Sequence, residues 1–382
     1  MAKSKFRELR RCYGFDEVAI VPGDFTVNPD QTNIDLTIGD LKFAVPIVAS
    51  AMDAVTDVNT AVQISKMGAL GVLHLEGVQT KYEKPQEILD EIVHAPQSEV
   101  TALLQKIYSA PIREDLVSER IQAIKKAGGI CAVSVAPANT KRLLPVIIAA
   151  KADILVVQTT ITTARHISKS YKGLILSELC KSVSIPVMIG NCVSYSACME
   201  IMREGVSGIM VGVGPGAACT SRQVLGVGVP QVTATMDCAQ ARDDYYKESG
   251  RYVPIITDGG MSNGGDICKA FASGADGVML GSILAQAKES PGKGYHWGMS
   301  QPSPALPRGT RIRVGTTGTL QQILFGPTSV TDGSQNLVGA LRTAMGFCGV
   351  TNIQEFHKIE MVVAPAIVTE GKAWQHGLTY SN

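Results

Sequence analysis

The stretch GVGPGAACTSRQVLGVGVPQ, residues 212–231, carries one thiol in a setting that suits a nucleophile. Its glycines let the backbone approach a ligand closely. Gly-x-Gly also opens dinucleotide fingerprints, but those expect an immediate helix and an acidic residue about twenty positions on. Pro215 and the small residues around it fit a wrapped loop better. Cys219 then stands exposed on that loop, preceded by amide-rich backbone that can lower a thiol pKa. A second stretch, DGGMSNGGDICKAFASGADGVMLGS at 258–282, puts Asp-Gly-Gly at one strand end and Gly-Ser at the next. Successive turns of this kind make a phosphate cradle, and the Asp258 carboxylate, an acceptor only, suits sugar hydroxyls. Ordinary βα turns are the plainer reading of the same glycines.

Such residues need a scaffold that brings them together. Short apolar runs bounded by Gly, Asp or Pro recur at 44–50, 69–75, 130–135, 153–158, 186–190, 207–212, 253–258 and 276–281. Amphipathic segments lie between most of them, among them Asp57–Met67, Ser118–Ala127, Ala197–Glu204 and Asp266–Ser273. This alternation, with near-continuously apolar strands, argues for a buried parallel sheet of the α/β class. Eight units favour closure into a (β/α)8 TIM barrel; a doubly wound sheet is the alternative. The cysteine loop then follows the sixth strand, and the glycine turns follow the seventh and eighth, all at the end where barrel sites form. Residues 76–129 hold more than one helix and read as an excursion after the second strand. Residues 286–338, rich in Gly, Pro, Ser and Thr, read as a long active-site flap. Residues 350–382 read as a tail, so that 1–382 make one catalytic domain.

Composition narrows the partners. Hydrophobic residues make up 45% of the 382, and 35 basic residues balance 34 acidic ones. Without a basic stripe, neither a nucleic-acid polymer nor an anionic membrane is expected. The opening MAKSKFRELRRCYGF has no apolar core of a secretory signal, and apolar runs break well short of a membrane span. The nine cysteines show no CxxC and mostly sit in apolar segments, as buried small hydrophobes in a reducing, cytoplasmic compartment.

The segments GVGPGAACTSR, DGG, GADGVMLGS, VASAMDAVTD, IGNCVS and GALRTAMGFCG together resemble the IMP dehydrogenase/GMP reductase family, in consistent order over roughly residues 12–350. YGFDEVAIVPG and GVLHLEG most resemble its IMP-dehydrogenase-related branch, which lacks the paired CBS domain; 76–129 is too short to hold one. The resemblance implies a purine mononucleotide ligand, GMP or IMP, and Cys219 as the nucleophile that bonds purine C2 in a thioimidate. It puts Ser50, Asp258, Gly260, Gly281 and Ser282 on ribose and phosphate, and Asn191 near the reacting centre. The carbonyls of Gly214, Gly216 and Cys219 match a K+ site, which Glu370-Gly371 of a neighbouring subunit would complete. The family's square tetramers, which stack into octamers, imply a homotetramer or homo-octamer.

The chain also departs from the family. Ala217 stands where a phosphate-binding serine is usual, and Ser221 where a threonine is usual. Gln158 replaces an aspartate near the nicotinamide, and Met210 an arginine in the sixth strand. A dehydrogenase needs an Arg-Tyr pair on its flap, but the one Arg-Tyr here, Arg251-Tyr252, enters the seventh strand. Gly298-Met299-Ser300 has the reductase form, whose serine receives guanine; an incidental turn serine is the plainer reading. The reductase's glutamate falls on Arg308. Glu76 in LHLEG is the substitute acid on the same face, or else a solvated loop residue. The balance favours an NADPH-dependent GMP reductase of purine salvage over an NAD-dependent IMP dehydrogenase. A silent purine-nucleotide binder is the third reading, which the intact cysteine loop opposes.

Overall fold

In a computed structural model, which describes residues 9–167, 173–300 and 303–364, the eight apolar runs pair in parallel and close on themselves. The barrel strands are β1 (Ile47–Ala49), β2 (Leu70–His74), β3 (Ala132–Val135), β4 (Ile154–Gln158), β5 (Val187–Cys192), β6 (Gly208–Val211), β7 (Ile255–Asp258) and β8 (Gly277–Leu280). Val278 of β8 lies opposite Ile47 of β1, so the sheet has no edge. The doubly wound alternative is thereby excluded.

Alternation along each strand explains both the core and the site. Leu73, Val133, Leu155, Val157, Ile189 and Ile209 face outward into a cluster with the surrounding helices. Val48, Leu70, Val72, Ala132, Ile154, Val156, Met188, Met210, Ile256 and Met279 face inward and fill the barrel. Both faces are buried, which is why the strands read as unbroken apolar runs. A hairpin absent from the sequence reading, Leu36–Ile38 paired with Leu41–Phe43, packs into the same inner cluster. Two steps further along four of the strands, the inward positions turn polar. Those residues are His74, Ser134, Gln158 and Asp258, and they ring the opposite mouth.

The helices around the barrel start where side chains can cap them. Asp57 accepts from the Thr60 amide at 2.8 Å ahead of Val58–Lys66, and Asn263 from the Asp266 amide at 3.0 Å ahead of Gly264–Ala272. The excursion after β2 contains Val78–Lys81, Pro85–His94, Val100–Tyr108 and Glu114–Lys126. The flap after β8 is more ordered than its composition suggests. It holds a hairpin, Tyr295–Trp297 with Arg311–Arg313, and a helix, Leu320–Phe325. Strands of three residues are too short to leave a readable period. Trp297 is fully buried among Val78, Leu89, Ile92, Leu104 and Ile107, so the excursion is the wall on which the flap rests. Arg311 fastens it, donating to the Val93 carbonyl at 3.3 Å and Gln97 Oε1 at 3.2 Å. In the tail, Met361–Val363 pairs with Val18–Ile20, while Glu370-Gly371 lies outside the described residues.

Candidate active site

A cavity of about 490 Å3 opens at the carboxyl ends of the strands. Of the expected site residues, Ser50, Glu76, Gln158, Asn191, Gly214, Gly216, Cys219, Asp258, Gly260, Gly281, Ser282, Gly298, Met299 and Ser300 all line it. Ser221 does not. It is wholly buried behind the loop, where its Oγ accepts from the Cys219 thiol at 3.3 Å.

The cysteine loop is held at both ends and across its middle. Arg222 donates to the carbonyls of Val213 and Val229 at 2.9 and 2.6 Å, pinning the flanks together. The Gly216 carbonyl accepts from the Cys219 amide at 3.0 Å, turning the chain, and Gly214 takes a left-handed φ of +69°. From the flap, the Thr310 amide donates to Ala218 and the Thr220 amide to Arg308, at 3.0 and 3.3 Å. Cys219 is half-buried beneath this flap strand rather than exposed, because its loop is sandwiched against residues 308–310. Gly298 is also pressed onto the loop: a Cβ there would meet the Ala218 carbonyl at 2.8 Å.

Across the cavity, three side chains form one network. Asp258 Oδ2 accepts from Asn191 Nδ2 at 2.7 Å and Gln158 Nε2 at 3.0 Å, and Gln158 Nε2 also reaches Asn191 Oδ1 at 2.9 Å. Both partners are neutral amides. Burial of the carboxyl therefore prevails over these hydrogen bonds and pushes its pKa up to about 6. Gln158 thus lines the cavity with its amide nitrogen shared between Asp258 and Asn191. Met210 fills the barrel interior with its side chain against Gly190, where an arginine's charge would be buried.

The turn after β8 meets the expected Ser50 and one residue not expected at the site, His296. A Cβ on Gly281 would meet Cε1 and Nε2 of His296 at 3.2 Å and Ser50 Oγ at 3.4 Å. Ser50 Oγ and His296 Nδ1 are buried without a protein partner, and both residues line the cavity. Burial lowers the imidazole pKa to about 4, so the ring is neutral. On the β2 side, Glu76 accepts from the Ala136 amide at 2.5 Å and Asn139 Nδ2 at 2.8 Å, at the start of helix Pro137–Ala149. Its carboxylate is thus tied to a helix start, not free in solvent. Beside it, His74 lines the cavity with Nδ1 unpartnered, and burial lowers its pKa. Behind the wall, Asp53 accepts from the Val78 amide at 2.9 Å and Tyr108 hydroxyl at 2.6 Å, and Tyr108 accepts from Trp297 Nε1 at 3.0 Å. This chain fixes the residue that precedes Gly298. Thr160 Oγ1 lies 3.4 Å from Ser300 Oγ and accepts from Arg308 at 3.4 Å. One signal would have found His74 and Ser134: both are polar residues within the last two positions of apolar strand runs, where Gln158 and Asp258 also stand.

Fold and site define a class, a (β/α)8-barrel protein with a cysteine-bearing loop and glycine turns over its strand ends. A profile of the IMP dehydrogenase / GMP reductase domain matches residues 12–301, and the chain belongs to that family of oxidoreductases. It is 35% identical over 366 residues to an uncharacterized oxidoreductase of Mycolicibacterium smegmatis, covering 94% of this chain and 98% of that protein. It is 28% identical over 397 residues to the inosine-5'-monophosphate dehydrogenase of Cryptosporidium parvum, covering 95% and 94%. The crystal structure of an IMP dehydrogenase/GMP reductase-like protein from Corynebacterium glutamicum superposes with a TM-score of 0.89 at 35% identity, covering 95% and 97%. Among the described residues, no helix is long and apolar enough to cross a membrane.

Proposed function

We propose that the protein is a GMP reductase, converting GMP and NADPH to IMP, ammonia and NADP+ through a thioimidate on Cys219. The observation that carries this reading is the placement of Gly298-Met299-Ser300. The turn lies on the cysteine loop, and the Arg308 amide donates to the Ser300 carbonyl while the Arg308 carbonyl faces the Cys219 sulfur, 3.9 Å away. A hydroxyl there can receive an exocyclic amine beside the nucleophile. In this reading the thiol attacks C2, and the Ser221 hydroxyl, already in contact, relays its proton to the ring nitrogen beside C2. The amine departs as ammonia once protonated, and a hydride from the nicotinamide then reaches C2 as the thiolate leaves. Asp258 holds the ribose, Asn191 stands near the reacting centre, and Ser50, Gly260, Gly281 and Ser282 hold the phosphate. We assign Glu76 as the acid that protonates the amine. The carbonyls of Gly214, Gly216 and Cys219 are the proposed K+ ligands, in a homotetramer or homo-octamer.

The test is purified protein with GMP plus NADPH, and separately IMP plus NAD. Oxidation of NADPH matched by IMP and ammonia is expected. NADH and XMP from the second mixture would overturn the reading in favour of a dehydrogenase. Tight GMP binding without turnover in either would leave a nucleotide binder. GMP should bind at least about a hundredfold better than guanosine, since loss of an anion held by several donors forfeits more than 2.7 kcal/mol.

A further inference from the structure

Three thiols unused by the site gather behind it. Cys192 closes β5, Cys198 lies on helix Tyr195–Arg203 and Cys238 on helix Gln231–Ser249. Their sulfurs all lie within 4.8 Å of one another, the one such convergence of three or more His, Cys, Asp or Glu side chains among the described residues. All three are buried, Cys192 at 2% exposure and the others at 0%. The Cys198 thiol donates to the Cys238 carbonyl at 3.7 Å and the Cys238 thiol to the Ser194 carbonyl at 3.9 Å. The three sulfurs thus share one small buried volume.

We propose that Cys192, Cys198 and Cys238 form a three-coordinate thiolate site for copper(I). Thiolate is the soft ligand that selects this ion, whereas structural zinc takes four ligands, and no fourth His, Cys, Asp or Glu joins the group. With metal–sulfur bonds of ~2.3 Å, a trigonal plane holds its sulfurs ~4 Å apart. Closing from 4.8 Å or less thus asks under an ångström of each pair. Copper(I) binds without changing oxidation state: Cu–S bonds replace S–H bonds and the thiol protons leave to solvent. The surroundings, including Met199, Ile201 and Val211, are apolar and shut water out. The Cys192 carbonyl accepts from the Gly212 amide at 3.1 Å, so the ion would sit directly behind the start of the cysteine loop.

The full chain is loaded anaerobically by two routes: titration of folded protein with copper(I), and refolding from denaturant with one equivalent of copper(I). After desalting against a copper(I) chelator, bound metal and near-ultraviolet thiolate-to-copper absorption are measured. One copper per chain is expected by at least one route, retained in Cys219→Ala and lost at least tenfold in both Cys198→Ser and Cys238→Ala. Far-ultraviolet dichroism confirms that each variant is folded. Copper retained in both cluster variants, or no copper held by wild type by either route, would overturn the site. Zinc(II) alone held more tightly than copper(I) would overturn the choice of metal.

Discussion

Asp258 and Asp276 stand at opposite ends of the last two barrel strands, and their surroundings differ in kind. Asp276, just before β8, is paired with Arg242 at 2.8 Å, and accepts from the Tyr252 hydroxyl at 2.5 Å and the Ile255 amide at 2.8 Å. Arg242 is 2% exposed, and its other contacts include the Gly274 carbonyl. The two buried charges there, Asp276 and Arg242, are partners of one another. Asp258, at the end of β7, has two neutral amides and, among the described residues, no cation bonded to it. The base of the barrel is finished by the protein itself, whereas the mouth is left for a ligand to finish. Unpartnered Ser50 Oγ, His74 Nδ1 and His296 Nδ1 at the same mouth agree with that division.

The comparison breaks if substitutions at the mouth and at the base have similar consequences. The largest effect is expected at the mouth. Cys219→Ala should lower kcat by more than about 10⁴-fold, with GMP affinity and melting temperature nearly unchanged; activity within tenfold of wild type would end the covalent account. Glu76→Gln should lower kcat by roughly 10²–10⁴, with little change in GMP binding. If Glu76 only receives the start of helix Pro137–Ala149, kcat will hold from pH 6 to 9 and stability alone will fall.

At the base the signature reverses. Asp276→Ala leaves Arg242 buried without its main partner and should cost about 3–5 kcal/mol in urea unfolding, with kcat per folded molecule preserved. A kcat that falls with it would show the two ends to be coupled. The smallest effect is the most diagnostic. The folded pKa of Asp258, about 6, lies above the ordinary 3.8. Its stability contribution is therefore present below pH 4 and lost as pH rises through 6. Asp258→Asn should then stabilise the ligand-free protein by about 1–3 kcal/mol at pH 7.5 and by almost nothing at pH 4, while weakening nucleotide binding. A variant destabilised at pH 7.5 would place Asp258 among the structural carboxylates.

The two ends were not equally legible in the sequence. The strands were readable because burial on both faces leaves unbroken apolar runs, and the glycine turns because close approach needs glycine at particular positions. Gly260, with φ of +83° and Pro215 packed 3.0 Å from where a Cβ would stand, is such a position. The flap hairpin was not readable: Trp297 is buried by the excursion, more than 180 residues earlier in the chain, and nothing local records that contact. His296 and His74 were missed for a related reason. A lone histidine beside apolar residues looks the same whether its ring nitrogen is satisfied or left facing a cavity. Glu76 was placed on the correct face, but its contacts with Ala136 and Asn139 depend on β2 and β3 lying side by side.

The central claim, covalent chemistry at Cys219, is tested most directly by rapid acid quench of the protein turning over purine-labelled GMP. The digest is then searched for label on each cysteine peptide. The account predicts transient label on the Cys219 peptide that appears with ammonia and is discharged as IMP when NADPH is supplied. IMP formed with no label on Cys219 at any time, or with label on another cysteine, would contradict it.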